Sequence, residues 1–503
     1  MRKKRKQKIV VRNSVNIYGA SEELVKALYN LNRFKNPQYT NILKYGNKYA
    51  LRFIDEYISL TKITETKNNK VVKCPRGTNF ENLALKFRKE LESFPVYYKQ
   101  KAVEAEWPES HIDLSDEQEK VKYRFIDAYQ KDSRPYGNYL FIAATSFGKS
   151  IAAMSICSYL NRSALVIYNT NLIKEAWLRD AKKMFNVEPK QVGIIQGSTY
   201  RIGEFITLAS VQTLGRRKDY WKSICSNFGI LVVDEADLMG KNTMSEFVYE
   251  CDTEFVLGMS ATTSPENDYK KIFEAGLGTP FVKLQSKAGK DTMTSLALRD
   301  FEVIETEFEY HGDVDTFNPS FIGEERVQRS MDYNNLLECL SYDEDRNQLI
   351  TESVIKEINN NALILVICKR VGHAEVLVEM IKEKGHDAVC YTGADNSNKN
   401  WSRKIIDSFL NRDTQCLVTI DSMVQRGANL NAVDTMFIVA PIKKKTALHQ
   451  LIGRLRRRDD KKTTNKVYYF HDKRVSFLKS AYHKVVLPVI EKEGVIKYRR
   501  PMV

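Results

Sequence analysis

One short segment of the chain has the residue types and the spacing that phosphate binding requires. Gly148-Lys149-Ser150 follows an apolar run, Tyr139–Ala144, with the pattern of a buried strand, and precedes a helical pattern over Ile151–Leu160. In such a strand–loop–helix unit, main-chain N–H groups face the anion and the lysine reaches the β and γ phosphates, while the serine hydroxyl binds Mg²⁺. The segment therefore predicts a nucleotide site.

Acidic side chains follow a second apolar run, Ile230–Val233, which ends in Asp234-Glu235-Ala236-Asp237. A buried parallel strand delivers its last side chains at the carboxyl edge of the sheet, where the phosphate loop also lies. Asp234 is therefore predicted to hold Mg²⁺, and Glu235 to polarise the attacking water.

The elements that position these residues alternate in type along the chain. Strand-like apolar runs alternate with helical patterns over residues 111–285, and a second such series runs through residues 363–439. This alternation predicts two tandem α/β domains with parallel sheets. The first 105 or so residues mix a helical pattern with short alternating runs and indicate a small α+β domain.

The composition is that of a folded protein with a basic end. The 503 residues suggest about three domains, and 43% hydrophobic with 28% charged residues is typical of globular chains. Of the net charge of +15, seven basic side chains lie in residues 1–13. Such a tail is either a solvated end or an arm that binds phosphate. No two of the eight cysteines have the two-residue spacing of a zinc or redox site.

In combination, these motifs resemble those of superfamily 2 helicases over roughly residues 111–460. Phe141–Ser150 is similar to motif I, in which that family commonly has alanine at the position of Ala143. Ser260-Ala261-Thr262 resembles motif III, and Gln450–Arg457 fits the motif VI pattern Gln-x-x-Gly-Arg-x-x-Arg. The resemblance implies two RecA-like domains that bind ATP and Mg²⁺ between them.

The resemblance also implies roles for individual residues. Arg454 and Arg457 would be arginine fingers that complete the γ-phosphate site when the domains close. With Lys149, Asp234 and Glu235 they form the predicted catalytic set. The predicted nucleotide contacts are Gln118, Thr145, Ser146, Phe147, Gly148, Lys149, Ser150, Gly427 and Asn429, with Ser150 and Asp234 as metal ligands. Asn429 stands where aspartate is frequent in motif V.

Two further groups complete the predicted site. Ser260, Thr262 and Gln450 would couple ATP hydrolysis to nucleic-acid binding. The predicted nucleic-acid contacts are Asn171, Lys174, Gln212, Thr213, Lys369 and Arg370. Asn171–Trp177 resembles motif Ia, and Ser210–Leu214 resembles the segment that contacts the nucleic-acid backbone in the family. For both segments, ordinary helix caps and core are the alternative interpretation.

Motifs Ia and VI differ from those of the DEAD-box RNA helicases, despite the tetrapeptide at 234–237. The closer likeness is to the DNA helicases grouped with the repair helicase XPB and the phage helicase UvsW. The predicted domains are a basic tail (1–13), a small α+β DNA-binding domain (14–105), a first RecA-like domain (106–285), a connection (286–345), and a second RecA-like domain with a helical carboxyl-terminal extension (346–503).

The function implied by the resemblance is ATP-dependent unwinding or branch migration of forked and junction DNA in recombination, repair or replication. A duplex translocase that does not separate strands, an RNA helicase and a noncatalytic scaffold are the alternatives. The expected partners are branched DNA and replication or recombination proteins. With no apolar segment long enough for a signal peptide or a membrane span, the expected location is the cytoplasm, that of the host if the chain is phage-encoded.

Overall fold

A computed structural model of the chain forms two compact units, Met1–Gln285 and Ser286–Val503. It describes residues 7–45, 48–66, 69–131, 137–143, 147–237, 242–261, 270–284, 299–310, 324–392, 405–406, 408–421, 432–443, 445–454 and 466–499. The described part of the first unit holds three sheets, of five, eight and two strands, and the second unit is built around one large sheet.

The amino-terminal part of the first unit is a five-stranded sheet with helices packed on it. Its strands are β1 (Lys8–Val11), β2 (Ser14–Tyr18), β5 (Lys62–Thr66), β6 (Asn69–Pro75) and β7 (Val96–Tyr98), in the order β5-β6-β2-β1-β7. The helices are α1 (Glu22–Leu31), α2 (Pro37–Tyr45) and α3 (Leu85–Glu92), and β3 (Arg33–Lys35) pairs with β4 (Tyr57–Ser59). The core contains Val11, Val15, Ile17, Leu24 and Leu28.

The sheet of this small domain begins earlier than the sequence predicted. Residues 1–13 were expected to be a basic tail, yet Lys8–Val11 forms β1, which pairs with β2 and β7. Ile9 and Val11 of this strand are buried in the core. The apolar run Ile9–Val11 is only three residues long and is flanked by basic residues, so it was not predicted as a strand.

The larger sheet of the first unit has eight strands. They are β8 (Asn138–Ala143), β9 (Ala164–Tyr168), β10 (Gly193–Gln196), β11 (Thr199–Arg201), β12 (Ile206–Ser210), β13 (Ile230–Val233), β14 (Phe255–Ser260) and β15 (Pro280–Leu284), in the order β11-β10-β12-β9-β13-β14-β8-β15. All pairs are parallel except β10 with β11. The strands at the centre are buried along their whole length, as parallel strands covered on both faces must be.

Helices cover both faces of this sheet. They are α4 (Asp116–Gln130), α5 (Lys149–Leu160), α6 (Asn171–Phe185), α7 (Val211–Arg216), α8 (Trp221–Cys225), α9 (Asn242–Glu250) and α10 (Lys270–Leu277). One core lies on each face, the first around Phe141 and Trp177 and the second around Leu231 and Phe247.

The second unit is a seven-stranded parallel sheet in the order β18-β19-β17-β20-β21-β16-β22. The strands are β16 (Arg299–Thr306), β17 (Ile364–Cys368), β18 (Ala388–Tyr391), β19 (Cys416–Ile420), β20 (Thr435–Ile438), β21 (Lys466–Asp472) and β22 (Gly494–Arg499). The helices are α11 (Glu324–Tyr342), α12 (Glu344–Asn359), α13 (Val371–Glu383), α14 (Lys445–Arg454), α15 (Ser476–Ala481) and α16 (Leu487–Glu493). Two tandem RecA-like domains preceded by a small α+β domain are thus confirmed.

Three strands of the second sheet, β16, β21 and β22, lie where no strand was predicted, and β21 lies beyond the predicted series over residues 363–439. β16 falls within the expected connection, and β22 falls within the carboxyl-terminal extension that was expected to be helical. Both carry many charges that pair across the strands: Lys497 with Asp300, and Arg499 with Glu302. β16 also buries Phe301, Val303 and Ile304. Charged residues interrupt the apolar runs of both strands, so neither strand was predicted.

Candidate nucleotide-binding site

The phosphate loop of the first sheet ends in a conformation that favours glycine. Gly148 precedes α5 with φ of +79°, and a Cβ there would lie 2.4 Å from Nε2 of Gln118. Lys149 begins the helix, is 8% exposed, and lies with Nζ 3.5 Å from the carbonyl oxygen of Ala143. Phe147 packs on the core beneath the loop. Because free N–H groups at a helix amino terminus attract anions, this arrangement suits a phosphate.

Two of the predicted loop contacts, Thr145 and Ser146, lie outside the described residues. Gln118 lies within them and joins α4 to the loop. Its Oε1 accepts a hydrogen bond from the N–H of Ser115, forming a capping box at the start of α4, and its Nε2 donates to the carbonyls of Phe147 and Gly148 at 3.2 and 3.3 Å. Gln118 therefore holds the loop through its side-chain amide.

Asp234 and Glu235 follow β13 at the carboxyl edge of the sheet, as the strand pattern predicted. Both oxygens of the buried Asp234 carboxylate accept a hydrogen bond: Oδ2 from Trp177 Nε1 at 2.8 Å and Oδ1 from the N–H of Glu235 at 2.7 Å. Burial, and then the charge of Glu235, raise the pKa of Asp234 to about 6, while Lys149 and the Trp177 bond act against that rise. Glu235 has φ of +50°, an unusual value for a residue with a Cβ.

The acidic segment Asp234–Asp237 and the segment that resembles motif III meet through Asp237 and Ser260. The Ser260 hydroxyl, at the end of β14, donates to Oδ1 of Asp237 at 3.2 Å. Burial raises the pKa of Asp237 to about 6, with Glu235 adding to the rise. Thr262 lies outside the described residues. The contact joins the acidic segment to the next strand of the sheet.

Ser150, a predicted metal ligand, makes a contact that the sequence did not indicate. Its hydroxyl donates a short hydrogen bond to Oδ2 of Asp180, which lies on α6. Asp180 comes three residues after Trp177, so one helix contacts both proposed metal ligands. Neither Trp177 nor Asp180 was predicted as a site residue, although a buried indole N–H usually requires an acceptor.

The proposed metal ligands suit Mg²⁺ in kind. Ser150 and Asp234 offer hydroxyl and carboxylate oxygens, and Mg²⁺ at nucleotide sites takes few protein ligands because phosphates and water supply the others. Among the residues that the structure describes, no three His, Cys, Asp or Glu side chains gather into a metal site of their own.

Asn171 and Lys174, two predicted nucleic-acid contacts, surround the turn after β10. Gln196, the last residue of β10, donates a short hydrogen bond to Oδ1 of Asn171, and Lys174 donates to Oε1 of Gln196 at 3.0 Å. Lys174 also lies 3.3 Å from Glu175. The first turn of α6 is therefore tied to the β10–β11 hairpin.

Gln212 and Thr213 lie on α7, and Thr213 contacts the same hairpin. Thr213 accepts from the N–H of Gly197 at 2.9 Å, and Gln212 donates to the carbonyl of Asn169 at 2.7 Å. Arg217, just after α7, donates to the carbonyl of Gly197 at 2.7 Å. The predicted contact segments on α6 and α7 thus meet at one turn.

In the second unit, Lys369 and Arg370 follow β17 and are paired with acidic residues. Lys369 forms an ion pair with Asp421, and Arg370 lies 3.0 Å from Glu338 and donates to the carbonyl of Asn334 at 2.7 Å. These pairs would have to rearrange before either side chain bound a phosphate.

The remaining predicted residues of the second unit are only partly described. Gln450 and Arg454 lie on α14, one helical turn apart, and their side chains are outside the described residues. Gly427, Asn429 and Arg457 lie outside the described residues altogether.

Family models match parts of the domains built on the eight-stranded and the seven-stranded sheets. Residues 111–265 match the family described as type III restriction enzyme, res subunit, and residues 345–459 match the helicase conserved C-terminal domain. No helix in the described part of the chain has the length and apolar composition that a bilayer span needs.

Viral helicases are among the relatives of this chain. "Putative helicase 161L" of Invertebrate iridescent virus 6 is 23% identical over 369 residues, which cover 69% of this chain and 75% of that one. "Putative ATP-dependent RNA helicase L396" of Acanthamoeba polyphaga mimivirus is 22% identical over 331 residues, covering 64% of this chain and 58% of that one.

Solved structures show similarity at low identity. The crystal structure of T4 UvsW covers 98% of this chain and all of that one, at 15% identity and a TM-score of 0.38. A fragment of a type I restriction enzyme subunit from Vibrio vulnificus, titled "putative HsdR subunit", covers 78% of this chain and 69% of that one, at 16% identity and a TM-score of 0.53. The second match is a likeness of fold. With these two matched domains, this chain belongs to the superfamily 2 helicases, enzymes that hydrolyse ATP.

Proposed function

We propose that this chain is an ATP- and Mg²⁺-dependent DNA helicase that remodels forked and junction DNA. The observation that carries the proposal is the pairing of a phosphate loop with a buried carboxylate in one sheet. Lys149 begins α5, and its charge acts on the pKa of Asp234 at the end of β13. A lysine, a metal-binding carboxylate and an adjacent glutamate are the groups that hydrolysis of a nucleoside triphosphate requires.

Each residue of the site has a separate role in this proposal. Lys149 neutralises the β and γ phosphates, and Ser150 and Asp234 bind Mg²⁺. Glu235 orients and polarises the attacking water. The predicted arginine fingers Arg454 and Arg457 supply positive charge to the γ-phosphate, and Gln118 contacts the adenine in addition to capping α4.

The β10–β11 hairpin supports nucleic-acid binding by the first RecA-like domain. Tyr200 on this hairpin is 46% exposed, and the Arg217 guanidinium lies 5.9 Å from its ring centroid. Exposed aromatic rings stack bases, and nearby cations contact phosphates without regard to sequence. Together with Asn171 and Lys174, these residues form a surface suited to the backbone of one strand.

The small amino-terminal domain carries a second surface of this kind. Phe53 is 75% exposed and Tyr49 60% exposed, and their ring centroids are 5.7 Å apart. Arg52 lies 5.2 Å from the Tyr49 ring centroid, and Arg33 lies 4.3 Å from that of Tyr57. Large apolar side chains this exposed usually mark an interaction site. We propose that this surface binds the DNA that has not yet reached the two RecA-like domains.

A duplex translocase that does not separate strands is the second candidate. The match of residues 111–265 to a restriction-enzyme subunit family favours it, because restriction enzymes include ATP-driven subunits that move along duplex DNA without separating its strands. The two candidates share the nucleotide site and differ in whether the enzyme separates the strands of the duplex.

ATP hydrolysis with different nucleic acids tests the proposal. The rate is measured for the unmodified chain and for Lys149→Ala, with single-stranded DNA, linear duplex, a four-way junction or RNA as activator. Lys183→Ala, which removes an exposed lysine from α6, is the matched control. Strand separation is followed in parallel with a fluorescently labelled fork.

We expect the junction to stimulate hydrolysis most, and Lys149→Ala to abolish hydrolysis with every activator. Equal stimulation by linear duplex without strand separation would favour the translocase. Stimulation by RNA alone would overturn the DNA assignment, and hydrolysis by Lys149→Ala would overturn the site.

A further inference from the structure

Helix α6 contacts both proposed magnesium ligands through two side chains on one face. Trp177 and Asp180 are three residues apart, a spacing that puts side chains side by side on a helix. Trp177 Nε1 donates to Oδ2 of Asp234, and Asp180 accepts from the hydroxyl of Ser150. These contacts join α6 to the end of β13 and to the start of α5.

The direction of both hydrogen bonds suits metal binding. A hydroxyl that gives its proton to Asp180 keeps its oxygen lone pairs available for a cation. The Asp234 carboxylate accepts one hydrogen bond on each oxygen, which fixes its plane and leaves lone pairs on both. Groups that hold a metal ligand in this way commonly change metal affinity by 10- to 100-fold when replaced.

The same helix begins at the nucleic-acid surface. Asn171 and Lys174 in its first turns are tied to Gln196, and Trp177 follows one turn later. A rigid helix moves as one body, so a shift of its first turn changes the position of Trp177 and Asp180 as well.

We infer that α6 positions the magnesium ligands, with Trp177 and Asp180 as positioning residues for Asp234 and Ser150. The inference rests on the proposed function, since it requires Ser150 and Asp234 to bind Mg²⁺. It adds that the two ligands come from separate elements and owe their alignment to one helix, which also meets nucleic acid.

If Trp177 and Asp180 served only the stability of the fold, replacing them would lower nucleotide affinity equally with and without Mg²⁺. Trp177 is 2% exposed and contributes to the core, so its replacement also costs stability. The Asp180 side chain is 20% exposed, and Asn has the same shape. Asp180→Asn is therefore the principal variant, and Trp177→Phe, which loses the indole N–H, is the second.

The experiment measures the affinity of a fluorescent nonhydrolysable ATP analogue with saturating Mg²⁺ and again with EDTA. The ratio of the two dissociation constants reports how much Mg²⁺ strengthens binding. Glu175→Gln is the matched control, because it removes an exposed carboxylate from the same helix. Thermal unfolding of each variant is recorded alongside.

We expect Asp180→Asn to lower this ratio about tenfold, with the affinity in EDTA and the unfolding temperature unchanged, and Glu175→Gln to leave the ratio as it is. Trp177→Phe should lower the ratio in the same direction. An unchanged ratio in Asp180→Asn, or an equal loss of affinity with and without Mg²⁺, would overturn the inference. If the unmodified chain binds no nucleotide in either condition, the proposed function itself fails, which is a separate result.

Discussion

Arg76 of the small amino-terminal domain donates from Nη1 to the main-chain carbonyl of Thr253, at 2.6 Å. Its Nη2 donates to the carbonyl of Glu254 at 2.7 Å, and the N–H of Gly77 donates to the carbonyl of Ala275 at 2.9 Å. Thr253 and Glu254 directly precede β14, the strand that ends at Ser260. The small domain is therefore joined to the strand that leads into motif III.

Replacing Arg76 should loosen this connection. The side chain is 4% exposed, and its loss removes the Arg76 donor from the buried carbonyl of Thr253 and from the part-buried carbonyl of Glu254, which also accepts from Gln100 Nε2 at 3.5 Å. For Arg76→Met, which retains an unbranched stem, we expect the free energy of unfolding to fall by about 3 kcal/mol. Chemical denaturation measures this change, with Arg12→Met as an exposed control. Equal stability of the two variants would show that the contact adds little.

Ser260→Ala should separate hydrolysis from unwinding. The change removes the hydroxyl that donates to Asp237 but leaves Lys149, Asp234 and Glu235 in place. We expect ATP hydrolysis to stay within a few-fold of normal, while strand separation falls at least about tenfold, equivalent to about 1.4 kcal/mol. Both rates are measured on a forked duplex, with Ser226→Ala as control. A parallel fall of both rates would instead place Ser260 in the chemical step.

The strands and the phosphate loop were predictable because their signals are local. Parallel strands buried on both faces appear in a sequence as apolar runs, and Gly148-Lys149-Ser150 stands directly after one. Arg76 was not predictable as a docking residue, since its partners are main-chain carbonyls some 177 residues away, which carry no side-chain signal. Trp177 could be assigned to the core from its type, but only folding shows that its N–H meets Asp234.

β16 and β22 illustrate a second limit of sequence patterns. Each pairs with a strand more than 150 residues away along the chain. Arg499 of β22 also forms an ion pair with Glu302 of β16. A pattern-based prediction counts apolar spacing within a short window, so it misses strands whose apolar runs are short and whose partner strands are distant along the chain.

Phe53→Ala should weaken DNA binding without affecting the nucleotide site. The Phe53 ring is largely exposed, so its removal costs little stability. Loss of one stacking side chain typically costs about 1–3 kcal/mol of binding to single strands. We expect junction affinity to fall about tenfold, measured by fluorescence anisotropy, and hydrolysis without DNA to be unchanged. Leu85→Ala, at another exposed apolar position of the small domain, is the control; equal losses in both variants would contradict a specific role for Phe53.

Glu235→Gln should block hydrolysis and spare ATP binding. The amide retains the shape of the side chain and is compatible with the backbone at φ of +50°, but it cannot accept a proton from water. We expect kcat to fall at least about 100-fold, the usual contribution of a general base, with the dissociation constant for ATP within about twofold of normal. Single-turnover hydrolysis and equilibrium binding measure the two effects. Glu250→Gln, exposed on α9, controls for loss of charge, and residual hydrolysis near the normal rate would assign the base to another residue.

His373 should make the second unit sensitive to acid. It is 1% exposed, its Nε2 lies 2.8 Å from Oδ1 of Asn347, and burial, together with the charge of Arg346, lowers its pKa to about 3. The unfolded chain, with a pKa near 6.5, binds a proton that the folded chain excludes, so stability is lost as the pH falls from about 6.5 towards 3. The expected loss from this residue is about 2 kcal/mol between pH 7.5 and pH 5. His373→Gln, which can still donate to Asn347 but does not titrate, should start less stable and lose less over that interval in denaturant titrations at each pH. If both proteins lost the same stability, another group would be responsible for the acid sensitivity.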